Sequence, residues 1–211
     1  MQPVRFILPV PLLLLSMGTI GCRGGTCDNS GADGYQSITV GDVTRDYILH
    51  VPASYQEGQD MPLVLSFHGN GECAEDFTGH AGLASEADAS GFILAYPQGV
   101  VRGKGAAEWN PEDSGENINE NDVDFADKLI EEISGSYSVD ASRIYATGYS
   151  NGGMMAYGLA CHRGSSIAAV GIMSGIMLGS TCSGGGYTSV IHFHGTADFA
   201  LPYDGSGDFQ S

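Results

Sequence analysis

The segment Gly148-Tyr149-Ser150-Asn151-Gly152 holds the plainest chemistry in the sequence. It is a G-x-S-x-G pattern, which gains meaning where a strand turns sharply into a helix, because the serine hydroxyl then projects above the sheet. Here a strand candidate, Arg143–Thr147, precedes it and helical character over Gly152–His162 follows. Ser150 is therefore the candidate nucleophile for attack on an acyl carbon. The backbone N–H of Asn151, at the helix start, is placed to hold the oxyanion that such attack creates. Two further segments follow strand candidates. His194-Gly195-Thr196-Ala197-Asp198 ends in a carboxylate that could orient a histidine and stabilise its imidazolium, or simply cap a strand end. His68-Gly69-Asn70-Gly71 has small residues that leave its backbone open; His68 is read as packing beneath this loop, not as a catalytic base.

These residues need elements to carry them. Ser37–Val40 and Arg45–Val51 read as a hairpin around Gly41-Asp42. From Leu63 onward, short apolar runs alternate with helical patterns. Leu63–Phe67, Phe92–Tyr96, Arg143–Ala146, Ala168–Met173 and Ser189–Phe193 read as buried strands. Asp76–Ser90, Asp122–Ser136 and Gly152–His162 read as helices. Such alternation predicts a mostly parallel sheet with right-handed crossovers, an α/β three-layer fold. Residues 99–120, with Trp109, form a long loop, and loops of that length in compact domains are often functional. Ligands of open sheets bind beyond the carboxyl ends of the strands, where all three chemical segments fall.

Composition narrows the function classes. The chain has 211 residues, 42% hydrophobic, with 8 basic and 25 acidic side chains for a net charge of −17. Such a balance argues against a nucleic-acid partner, since phosphate binding needs clustered Lys and Arg. No Cys/His spacing suits a metal site. Residues 1–21 read as a signal peptide: Arg5, then the apolar run Phe6–Leu15, then small residues near a cut. The run is too short to span a bilayer. Cys22 admits lipid anchoring, although Thr19-Ile20-Gly21-Cys22 matches that pattern poorly. Residues 22–36 read as a linker and 37–211 as the folded domain. Export makes disulfides plausible. With Cys22 set aside, Cys27, Cys73, Cys161 and Cys182 allow three pairings.

Several motifs occur in a telling order: Phe67-His68-Gly69, Tyr96-Pro97-Gln98-Gly99, Trp109-Asn110, Asp122-Val123, Tyr145 to Met155, and His192 to Asp198. Over about residues 37–205 the chain resembles secreted esterases of the polyhydroxybutyrate depolymerase and feruloyl esterase family. The resemblance implies an α/β-hydrolase fold and a serine-esterase mechanism without cofactor or metal. It implies Ser150 as nucleophile, Asp198 as triad acid, and Asn70 and Asn151 as backbone oxyanion donors. It also implies pairing of Cys161 with Cys182 and, more loosely, Cys27 with Cys73. The expected substrate is a feruloyl or acetyl ester on a polysaccharide, or a polyester. The loop around Trp109 is read as lining its pocket, the other reading being a Trp that anchors the long loop.

One part of the pattern is missing. The family's catalytic histidine follows the acid, yet none of the 13 residues after Asp198 is His. His50, His68, His80, His162, His192 and His194 all precede it. The expectation is a truncated reading frame that lacks the last strand and final helix. Such a chain would have an open apolar sheet edge and little or no activity. A non-catalytic protein on a hydrolase scaffold is the rival reading.

Overall fold

The computed structural model describes residues 27, 34–102, 106–112, 121–178, 182 and 184–206. The expected signal peptide, and most of the expected linker, lie outside the described residues. β1 (Tyr35–Val40) and β2 (Val43–His50) form the predicted hairpin. It starts two residues earlier than expected, because Tyr35 pairs with Ile48 and Gln36 with Tyr47. Then follow β3 (Met61–Phe67), α1 (Ala74–Ala81), α2 (Leu83–Ser90) and β4 (Ile93–Pro97). The single helix expected over Asp76–Ser90 is two helices. Gly82, at φ 66°, ends one and opens the next in a left-handed conformation that glycine adopts without a Cβ penalty.

Within the expected long loop lies a short hairpin, β5 (Val100–Arg102) with β6 (Ala106–Glu108). α3 (Asp122–Ser136) begins where Asn121 accepts hydrogen bonds from Val123 N and Asp124 N. Such a cap contributes about 1 kcal/mol. β7 (Val139–Tyr149), α4 (Asn151–His162), β8 (Ala169–Met173) and β9 (Ser189–Phe193) complete the described elements.

The main sheet has the order β1-β2-β4-β3-β7-β8-β9, parallel from β4 to β9, with β2 antiparallel to β4. Both faces of its middle are covered, which explains why the central strands are continuous apolar runs. Leu63, Leu65, Phe67, Ile93 and Ala95 face the layer of α3 and α4, packing with Leu129, Ile133 and Leu159. The alternate residues Val64, Leu94 and Tyr96 meet Phe77 and Ala87 from the layer of α1 and α2. β9 is the edge strand among the described residues, and its Val190, Ile191 and Phe193 are exposed. Cys27 is bonded to Cys73 and Cys161 to Cys182, the expected pairs.

A buried ion pair joins hairpin, loop and helix. Arg45 of β2 donates to Asp122 Oδ1 at 2.7 Å, with side chains 3% and 0% exposed. Its guanidinium lies 3.9 Å from the Phe125 ring centre, and Asp122 Oδ2 accepts Asn110 N at 2.6 Å. Removing one partner strands the other charge in the core. Arg45→Met should lower the unfolding free energy by about 3–5 kcal/mol, and Asp122→Asn in the same chain should return part of it. Urea titration of the three proteins checks this; a loss below about 1 kcal/mol for Arg45→Met would contradict it.

Candidate active site

Three parallel strands end side by side. Tyr149 of β7 is in register with Met173 of β8, and Met173 with Phe193 of β9. Ser150, Ser174 and His194 therefore leave the sheet at one level, on strands spaced about 4.8 Å apart. Ser150 has φ 53° and ψ −119°, a conformation costly for any residue with a side chain. The surroundings enforce it: Ser150 N donates to Met173 O at 2.9 Å, and Met154 N to Ser150 O at 3.0 Å. The flanking glycines are required by contact. A Cβ on Gly148 would lie 2.2 Å from Gly152 O, and one on Gly152 2.2 Å from Phe67 O. This is the strained strand–turn–helix that the sequence pattern anticipated.

The loop after β3 is held from inside. Gly69 N donates to Glu72 Oε2 and Gly71 N to Ala107 O, each at 2.8 Å. Asn70 N–H, between them, has no partner among the described residues. Glu72 also meets His80 Nε2 through Oε1 at 3.2 Å, so α1 braces the loop.

His68 is fully buried and fully used. Its Nδ1–H donates to Gly69 O at 2.8 Å, and its Nε2 accepts Gly99 N at 2.9 Å. That pattern needs the neutral Nδ1–H tautomer. Burial pushes its pKa below the ordinary 6.5, against smaller opposing effects from its bond to Gly69 and from Glu72. The structural role expected for His68 is the one its contacts describe.

Trp109 requires a correction. It was expected to line a substrate pocket, yet it is 3% exposed. Its indole Nε1 donates to His68 O at 2.9 Å, and its ring packs edge-on against Phe67. An indole with its N–H satisfied inside the core anchors a loop. What it anchors is the nucleophile's neighbour: Trp109 N donates to Asn151 Oδ1 at 2.7 Å, and Asn151 Nδ2 donates to Trp109 O at 3.2 Å. The Asn151 side chain is thereby committed, while its backbone N–H lies at the start of α4, where helix amides have no intrahelical partner.

Asp198 lies on the turn after β9. It accepts Leu201 N at 2.9 Å and Ala200 N at 3.0 Å, and these bonds with the neighbouring His194 hold its carboxyl below the usual range. His194 is beside it, Nε2 3.5 Å from Asp198 Oδ2, but that nitrogen donates to Leu201 O at 2.7 Å. His194 Nδ1 must then accept from His192 Nε2 at 3.1 Å, and His192 Nδ1 from the Tyr157 hydroxyl at 3.0 Å. The chain of donors runs one way and leaves no nitrogen of His194 for Ser150.

A cavity of about 300 Å³ opens beside the elbow, walled by Tyr149, Met173, Phe77 and Leu83, with Glu72 and His80 on one side. A larger surface groove, between β1 and α3, is remote from these strand ends. Among the described residues, no cluster of three or more metal-ligating side chains occurs.

A strained serine elbow above a mostly parallel sheet, with a carboxylate two strands away, defines the α/β-hydrolase architecture. Sequence comparison is more specific: the description "Esterase PHB depolymerase" matches residues 45–209. The chain belongs to that family. It is 36% identical over 173 residues to a Nocardia uniformis subsp. tsuyamanensis protein that carries an esterase name, NocK, covering 81% of this chain and 50% of that one. It is 34% identical over 191 residues to an Aspergillus oryzae protein named "Probable feruloyl esterase C", covering 84% and 65%. The chain therefore spans between half and two thirds of these relatives. The acetyl xylan esterase from Aspergillus awamori superposes with a TM-score of 0.58 at 19% identity, over 68% of this chain and 52% of that one, which shows the shared fold.

Sequence reasoning missed Glu72 and the Arg45–Asp122 pair. Nothing in their spacing signals contacts across 3 or 77 residues. Gln98 fell within a quoted motif without a role; its Oε1 accepts Ala74 N at 2.8 Å, and its side chain meets His68.

Two outcomes follow. Asn151→Asp places a carboxylate oxygen against Trp109 O, so it should destabilise the chain more than Asn151→Ala does, by about 1–3 kcal/mol in urea titration; equal losses would contradict the reciprocal pair. His68, with its folded pKa below the unfolded value, stabilises the protein above about pH 6.5, and that contribution fades as pH falls toward the folded value. Nitrogen NMR of the imidazole should show the neutral Nδ1–H form at pH 6; an imidazolium there would contradict the assignment.

Proposed function

We propose that this chain is a serine carboxylic-ester hydrolase acting on polymer-linked esters through an acyl-enzyme. The observation that carries the reading is Ser150, held at φ 53° at the carboxyl end of β7 by contacts that leave room only for glycine on either side. Ser150 Oγ attacks the ester carbonyl. The N–H groups of Asn70 and Asn151 hold the oxyanion, and Asp198, kept ionised by Leu201 and Ala200, supplies the negative partner for an imidazolium. Water then releases the acid. The cavity beside Tyr149 would take the acyl group, and its apolar walls suit an aromatic or short acyl chain.

Relatives named feruloyl esterase and acetylxylan esterase favour feruloyl or acetyl esters on polysaccharide; a polyester such as polyhydroxybutyrate is the alternative that the family's own name raises. The two disulfides favour an oxidising, extracellular setting.

Of the imidazoles near these strand ends, His68 and His194 are saturated, His192 is bonded within the donor chain and His80 meets Glu72, so none is assigned the role of base beside Ser150 and Asp198. Without such a base, turnover by residues 1–211 should fall on the order of 10⁴-fold below that of a complete triad. Exogenous imidazole tests the arrangement. An open hollow lined by Met173, Ser174, His194 and Gly195 can admit it. Hydrolysis of 4-nitrophenyl acetate and methyl ferulate should rise saturably with imidazole, vanish in Ser150→Ala and weaken in Asp198→Ala. An imidazole response identical in Ser150→Ala would instead favour the non-catalytic scaffold.

A further inference from the structure

Beside the candidate oxyanion loop stands a carboxylate that the proposed chemistry does not use. β6 runs along this loop. Ala107 O accepts Gly71 N at 2.8 Å, and Trp109 N donates to Asn151 Oδ1 at 2.7 Å. Glu108 thus lies between two anchored residues, one bonded next to Asn70 and the other to Asn151. Ala107 and Trp109 are 2% and 3% exposed. Successive side chains of an extended segment point to opposite sides, so Glu108 points away from the core. Its Oε2 accepts Asn70 Nδ2 at 3.3 Å in an exposed contact. Tyr149, by contrast, lies over Gly69: a Cβ on Gly69 would be 3.1 Å from Tyr149 Cδ1. Tyr149 walls the cavity assigned above to the acyl group, which neither Asn70 nor Glu108 lines. The Asn70–Glu108 pair is therefore left to meet the other half of an ester whose carbonyl oxygen sits at the Asn70 amide.

We propose that Glu108, held by Asn70, is a specificity-determining residue that accepts hydroxyl hydrogens from the alcohol half of the ester, so that the substrate is an ester of a neutral, hydroxyl-rich sugar and not a polyester. This rests on the serine-esterase reading. The donor inventory supplies the reason. A carboxylate can only accept, and with Nδ2 turned to Glu108 the Asn70 carboxamide has its oxygen left to accept as well. The pair therefore selects for donors, and a hydroxyl bonds a carboxylate more strongly than it bonds a neutral oxygen. Sugar hydroxyls beside the ester oxygen are such donors. The repeat of a polyester, built from ester and alkyl groups, has none. A substrate carboxylate, as on a uronic acid, would meet Glu108 as a like charge and be rejected. Asn70 joins the two tasks: its backbone amide is a candidate oxyanion donor, and its side chain orients against the carboxylate that reads the alcohol.

Two substrates with one acyl group isolate the alcohol: methyl ferulate and a feruloyl ester of arabinose. With imidazole present, the ratio of kcat/KM for the arabinose ester to that for methyl ferulate should fall about tenfold in Glu108→Ala, as for loss of one hydrogen bond to a charged group. Glu108→Gln keeps an acceptor oxygen and should retain most of the preference. An unchanged ratio in Glu108→Ala, whatever happens to the two rates together, would mean that Glu108 only braces the loop, and would overturn the proposal. Binding gives a readout without turnover. In Ser150→Ala, the ¹⁵N resonance of the Asn70 side-chain amide should shift saturably with methyl arabinofuranoside, should stay in place with glucuronate, and should lose the response when Glu108→Ala is added. A resonance that moves equally with both sugars, or with neither, would overturn the proposal. If wild type hydrolyses neither ester in the presence of imidazole, the esterase reading fails, and the amide titration still decides whether the Asn70–Glu108 pair takes a sugar.

Discussion

A neutral, wholly buried imidazole is the point on which the site's geometry depends. His68 takes one hydrogen bond from Gly99, gives one to Gly69, and lends its carbonyl to the Trp109 indole. Three separate loops are fixed by one residue. From Trp109 the order passes to Asn151, and so to the first turn of the nucleophile helix. The three bonds made by His68 are buried, so each of them left unmade would cost a full desolvation, whereas the Asn151 bonds are part-buried. The two candidate oxyanion amides, of Asn70 and Asn151, are set relative to each other by the same scaffold. The Arg45–Asp122 pair extends it to the hairpin and to α3, where Asn110 is captured on Asp122 Oδ2.

The sheet supplies the other constraint. Because β7, β8 and β9 are parallel and in register, their ends present a serine, a second serine and a histidine at one height. A parallel sheet does this without any long-range adjustment, since each crossover returns the chain to the same edge. The strained elbow, the intervening β8 turn and the acid's turn are then neighbours by construction. Family membership and fold agree with this arrangement, and the esterase chemistry proposed for it follows from where these residues stand.

Much of this could be read from sequence, for identifiable reasons. Strands covered on both faces are continuous apolar runs, so β3, β4 and β8 were visible, and α3 was bounded by its acids and its stripe of Val123, Leu129 and Ile133. The elbow was visible because its glycines are obligatory. The break at Gly82 was not, since a glycine inside a helical pattern is usually tolerated. The β5–β6 hairpin was too short and too rich in small residues to show a period. Trp109 was misassigned because a lone tryptophan in a long loop has the same sequence signal whether it faces substrate or core; only its bond to the His68 carbonyl distinguishes the two. Glu72, folded back on Gly69, leaves no trace in spacing at all.

The central claim is that this scaffold aims the Asn70 and Asn151 amides at the oxygen that turns negative when Ser150 attacks. A crystal structure of the chain after reaction with a fluorophosphonate tests it directly. The account predicts a phosphonyl group on Ser150 Oγ, with one phosphonyl oxygen about 2.7–3.1 Å from both Asn70 N and Asn151 N. A phosphonyl oxygen turned to solvent, or an adduct on another residue with Ser150 unmodified, would contradict it.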